Sequence, residues 1–157
     1  MVMCCTPVKA PLAMPMYAIA TVPLIKMLQC NHDDVNQVWY ADNASAAGKI
    51  TRLHEWWSQL PSQGPKFGYY ANATKTWLVT KQKHLAIATA SFANTGVQVT
   101  SEGRPYLGAA IGSKEFVRSH VEDKVGQWMN ELDCLATTAT AQPHAAHAAF
   151  THGLSNK

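Results

Sequence analysis

Val38-Trp39-Tyr40-Ala41-Asp42-Asn43 is the stretch on which the reading of this chain turns. Three residues that favour extended backbone run into a small residue, an acid and an amide. That order predicts a short buried strand ending in a tight turn, with Asp42 at the tip. A carboxylate exposed at such a tip is well placed to hold a divalent cation, whereas Asn43 offers only a neutral, weaker oxygen ligand. Working outward, Val35 to Tyr40 reads as the strand, Asp42-Asn43 as the turn and Ala44 to Ala46 as a short return strand.

Apolar or helical stretches flank this unit. On its N-terminal side, Pro11 to Cys30 reads as a helix that is apolar on every face and must be covered on most sides. Asn31-His32-Asp33-Asp34 is a polar turn between helix and strand, although a His-Asp-Asp cluster is also a metal-ligand pattern. On the C-terminal side, Ile50, Leu53, Trp57 and Leu60 make one helical stripe, which Pro61 is expected to end. Trp56 stands beside that stripe, and its spacing does not decide between core packing and an exposed ring.

Gly64 to Gly68 then reads as a loop, Asn72 to Lys75 as a turn, and Thr76 to Thr80 and Gly96 to Thr100 as strands. His84 to Phe92 fits helix or strand. Arg104 to Gly112 reads as a strand with small residues that allow close approach. Ser113 suits a helix N-cap. Val117, Val121, Val125, Trp128, Leu132 and Leu135 recur at steps of three and four, the clearest amphipathic helix in the chain. Gln142-Pro143 opens a last helix to Gly153. Strands packed on helices in this order predict an α+β layer fold.

Composition narrows the function classes. The 157 residues are 47% hydrophobic and only 15% charged, which suits one globular core and argues against disorder. Net charge is +3, but residues 44–118 hold nine basic side chains against three acidic ones. That surplus is compatible with a polyanionic partner, and equally with a solvated basic face. The four cysteines show neither metal spacing nor disulfide density, so the expectation is reduced thiols in an intracellular protein of cytoplasm or nucleus. The apolar run from Ala10 to Ile25 is short for a membrane span and holds three prolines, so no membrane association is expected; a signal peptide fits its flanks poorly. The three histidines His144, His147 and His152 lack a fourth ligand for zinc and read as surface residues.

Four features in order resemble the reverse transcriptases of retroelements. Pro11-Leu12-Ala13-Met14-Pro15-Met16 looks like the end of the family's Gln-Gly-Asp-Pro-Leu helix start. Tyr40-Ala41-Asp42-Asn43 looks like its Tyr-x-Asp-Asp box. Gly68-Tyr69-Tyr70-Ala71-Asn72-Ala73-Thr74-Lys75-Thr76 is similar to Gly-Leu-x-x-Asn-x-x-Lys-Thr. Tyr106-Leu107-Gly108-Ala109-Ala110-Ile111-Gly112 looks like the primer-grip hairpin with its Leu-Gly pair.

The resemblance implies an irregular start over 1–10, a partial palm over 11–112 (an antiparallel sheet backed by helices) and a helical thumb-like segment over 113–157. It implies RNA-directed DNA polymerisation by two-metal phosphoryl transfer, with Mg²⁺ as cofactor and an RNA or DNA primer-template as partner. Asp42 and Asn43 would stand at the catalytic metal position, and Lys75 would approach the incoming triphosphate. Tyr40, Lys66, Arg104, Tyr106, Leu107 and Gly108 would contact nucleic acid.

The sequence departs from the family pattern at points that bear on activity. Asn43 stands where the second aspartate belongs, and Val8-Lys9-Ala10 stands where Gln-Gly-Asp belongs. The family's first catalytic aspartate precedes the helix that here opens at Pro11, and the ten residues before it hold no acid. The expectation is therefore a degenerate, catalytically inactive polymerase remnant derived from a mobile element, its missing fingers and upstream palm supplied, if at all, by a longer product. The alternative is a non-catalytic module that still grips nucleic acid.

Overall fold

A computed structural model of the chain describes residues 13–40 and 42–153. The expected helix start at Pro11-Leu12 lies outside the described residues. Two compact units divide between Ser113 and Lys114.

The first unit opens with α1 (Ala13–Asn31). Leu24 and Leu28, four apart on one face, are fully buried. Thr21 joins them, its hydroxyl satisfied by donating to the carbonyls of Tyr17 and Ala18 at 3.0 Å each. Met16, Ile19 and Val22 are exposed, so the helix is covered along one line and not on most sides. Each leucine so buried contributes about 1.5–3 kcal/mol.

Strands β1 (Asn36–Tyr40) and β2 (Asn43–Ala47) form an antiparallel hairpin. Helix α2 (Ile50–Gln63) follows and buries Leu53, Trp56, Trp57 and Leu60. It runs through Pro61 instead of ending there. In the last turn a proline removes a single intrahelical donor, and the amide of Gly64 still reaches the Leu60 carbonyl, so the helix completes its final turn. A 3₁₀ turn over Gly64–Phe67 takes the place of the expected loop. Gly64 is required there: a Cβ would lie 2.5 Å from the Tyr69 carbonyl oxygen.

The remaining strands depart from the single antiparallel sheet that was expected. β3 (Trp77–Val79) pairs with β4 (Gln98–Thr100) in parallel. A parallel pair needs a crossover of a dozen residues or more, and α3 (Leu85–Phe92) lies in that connection, which settles the open reading of His84 to Phe92 as helix. β5 (Gly103–Tyr106) and β6 (Ala109–Gly112) are antiparallel, so Arg104 to Gly112 is a hairpin and not one strand. Leu107 and Gly108 take φ of 48° and 83°, the pair of positive values that a tight two-residue hairpin turn demands. The fold is thus α+β with three two-stranded sheets, one of them parallel.

The core of this unit gathers Trp56, Tyr69, Phe92, Leu24, Leu28 and Leu60, all essentially inaccessible. Gln37 supplies its main polar node. Its Oε1 accepts from the indoles of Trp39 (3.2 Å) and Trp56 (3.1 Å), and its Nε2 donates to the Ile25 carbonyl at 2.9 Å. One amide therefore ties α1, β1 and α2 together, with both acceptor positions of its oxygen and one of its two N–H groups used.

The second unit is α4 (Lys114–Ala141) and α5 (Pro143–His152). Pro143 occupies the first turn of α5, where its missing amide hydrogen costs nothing. Ala146 is buried, whereas α4 buries no residue. No described helix is long and apolar enough to cross a membrane.

Candidate functional site: the hairpin tip and the cleft beside it

The register of the first hairpin fixes where its side chains go. Tyr40 pairs with Asn43, and Asp42 lies in the connection between them. Asn43 is the first residue of the return strand and not part of the turn as expected. Directly opposed residues share a face, and the face of Gln37, Trp39, Ala44 and Ala46 turns to the core. Trp39 packs edge-on against Tyr69 at 5.1 Å. The opposite face carries Asn36, Val38 and Tyr40, and Val38 and Tyr40 are each 63% exposed. The strand is therefore half-exposed and not buried: its alternation sends every second large residue outward.

At the tip, Asp42 and Asn43 are both half-buried, and the Asn43 side-chain amide donates to Asp42 Oδ1 at 3.4 Å. The amide thus presents its nitrogen, not a ligating oxygen, to the only carboxylate at the turn. A pair of Mg²⁺ ions needs several hard anionic oxygens, and this donor set does not fit it. Among the described residues no group of three or more His, Cys, Asp or Glu side chains is arranged to hold a metal ion.

In the His-Asp-Asp loop, Asp34 is engaged by Arg52. Arg52 Nε donates to both Asp34 oxygens at 2.9 Å, and Arg52 Nη1 pairs with Glu55. The hydrogen bond that Arg52 donates to Asp34 is the main cause holding the Arg52 pKa above its usual value. His32 is buried, with neither ring nitrogen bonded.

The other candidate residues fall into two groups. Tyr106 and Arg104 are brought to the first hairpin. The Tyr106 hydroxyl donates to Ser45 Oγ at 3.2 Å, and Ser45 Oγ donates to the Val38 carbonyl at 3.0 Å. The Arg104 guanidinium lies 3.3 Å above the centre of the Trp77 ring, a cation–π stack. Leu107 and Gly108 form the turn of the second hairpin, and Leu107 is 52% exposed.

Lys66 and Lys75 sit apart from this grouping. Lys66 is exposed and its Nζ donates to Gln63 Oε1 at 2.8 Å. Lys75 is exposed at the end of a 3₁₀ turn whose first amide acceptor is Asn72, which caps the Lys75 backbone amide at 3.2 Å.

Between the two hairpins and β3 lies a cleft of about 390 Å³. Val38, Leu53, Leu78 and Ile111 give it aliphatic walls, and Arg104 and Tyr106 also line it; neither lysine does. Tyr40 and Asn43 continue the same hairpin face toward the tip. Ser45 carries no signal of a site in the sequence, and Trp77 is one of five tryptophans whose type allows base stacking but whose apolar surroundings favour core packing. Ser45 lies 61 positions from Tyr106, and only the folded register brings the two hydroxyls together. Comparison with protein-family models, curated proteins and solved structures finds no match to this chain.

Proposed function

We propose that the chain is a degenerate reverse-transcriptase palm and thumb-like segment of mobile-element origin, without polymerase activity of its own. The observation that carries the reading is the hairpin whose two-residue connection holds Asp42, flanked by Tyr40 and Asn43 in register. Support comes from the second hairpin, whose Leu107-Gly108 turn follows in the order of the family's motifs and whose Tyr106 bonds to Ser45 of the first. The loss of activity rests on Asn43, a neutral amide that bonds to Asp42 where a second carboxylate would be needed. Loss of such charge stabilisation costs roughly 10²-fold or more in rate per group.

Purified chain supplied with primer-template, deoxynucleoside triphosphates and Mg²⁺ is expected to extend no primer. Extension that disappears in Asp42→Ala would overturn the proposal.

A second reading, a nucleic-acid-binding module, is favoured by the basic surplus over residues 44–118, which includes exposed Lys66, Lys75 and Lys83. It requires duplex affinity that falls steeply with salt. No binding at low salt removes it.

A further inference from the structure

We infer that the cleft between the two hairpins is a binding site for a medium-chain aliphatic carboxylate. The inference stands independently of polymerase ancestry. The cleft volume of about 390 Å³ falls in the range of small-molecule sites. Its walls are branched aliphatic side chains: Leu53 and Leu78 are buried at its base, while Val38 (63%) and Ile111 (47%) are exposed. An acyl chain would cover that apolar surface, and Tyr106 is the only aromatic residue in the lining.

Charge selects the head group. Among the described residues that line the cleft, Arg104 is the only charged one. The ion pairs among the described residues both belong to Arg52, so Arg104 has no carboxylate partner there. Its guanidinium face lies on Trp77. Stacking uses the face and leaves the N–H edge, the edge that grips a carboxylate through two parallel hydrogen bonds. The two hydroxyls of the lining are already committed, Tyr106 to Ser45 and Ser45 to Val38. One unpaired cation beside an apolar wall suits a single negative charge better than a phosphate dianion, which would bring more charge than the lining neutralises. A neutral alcohol of the same length would leave the guanidinium without an anion.

The test is calorimetric titration of the full chain with octanoate and, separately, with 1-octanol. Octanoate is expected to bind about tenfold more tightly, the worth of a hydrogen-bonded charge pair. In Arg104→Met, which keeps an apolar chain at that position, the acid–alcohol preference should shrink to about twofold or less. Ala47→Trp, which fills the cleft from the hairpin side, should weaken both ligands about tenfold. Circular dichroism checks that both variants fold. Should Arg104→Met fail to fold, the acid–alcohol ratio of the wild type and the loss in Ala47→Trp still decide. Equal binding of acid and alcohol by the wild type, or octanoate affinity unmoved by Ala47→Trp, would overturn the assignment.

Discussion

Helices α2 and α4 both carry apolar residues at steps of three and four and meet opposite fates. In α2, Leu53, Trp56, Trp57 and Leu60 are all at most 5% exposed. In α4, Val121 is 52% exposed, Val125 46%, Trp128 40% and Leu132 41%. The difference lies in what each unit provides to cover the stripe. Around α2, the inner face of the first hairpin joins α1 and α3 in one core, with Gln37 accepting from Trp56 across it. Among the described residues, the second unit offers α4 only the ten-residue α5, which buries its own Ala146. Periodicity specifies a face that can be covered; burial depends on partners that arrive from elsewhere in the chain.

The comparison makes graded predictions for chemical denaturation. Trp56→Ala removes the largest fully buried side chain and strands part of the Gln37 network. It should cost about 3–5 kcal/mol. A loss under about 1 kcal/mol would mean that the buried side of α2 is not the centre of the core. Gln37→Leu keeps bulk but leaves two indole hydrogens and the Ile25 carbonyl without their partner, with an expected cost of about 1–3 kcal/mol. At the other extreme, Val121→Ser on α4 should shift stability by no more than about 0.5 kcal/mol. A change as large as that of Trp56→Ala would show that the α4 stripe is a packed face and would erase the contrast.

The same contrast explains what the sequence could and could not disclose. The first hairpin, α2, α4 and α5 were legible because their signals are local: a strand running into Ala-Asp-Asn, stripes at steps of three and four, and proline at a helix start. The fate of Trp56 was not, since it stands next to Trp57 and outside the stripe, and only the Gln37 carbonyl on another element gives its indole a reason to be buried. Val38 and Tyr40 looked like core residues by type and proved exposed, because the register sends Gln37 and Trp39 inward. Residues 104–112 read as one strand from their apolar run. The break at Leu107-Gly108 depends on a positive φ at a leucine, which composition does not announce. The parallel pairing of β3 with β4 is a long-range fact, and no local pattern distinguishes it from an antiparallel one.

The candidate site divides in the same way. The turn after Tyr40 was legible as a turn with Asp42 in it, whereas the turn at Leu107-Gly108 was not. The cleft between the two hairpins, the Arg104–Trp77 stack and the Tyr106–Ser45 bond exist only once the hairpins meet. Within the tip, the detail on which the proposed loss of activity rests is one functional group: the Asn43 amide donates a hydrogen bond to Asp42.

That detail can be measured without relying on turnover. Mn²⁺, a hard oxygen-seeking ion visible by water-proton relaxation, can be titrated into the wild type, Asp42→Ala and Asn43→Asp. The account predicts that the wild type binds Mn²⁺ no more tightly than Asp42→Ala, while Asn43→Asp gains affinity by supplying a second carboxylate. A wild-type site that holds Mn²⁺ tightly and loses it in Asp42→Ala would contradict the claim that the tip is one carboxylate short.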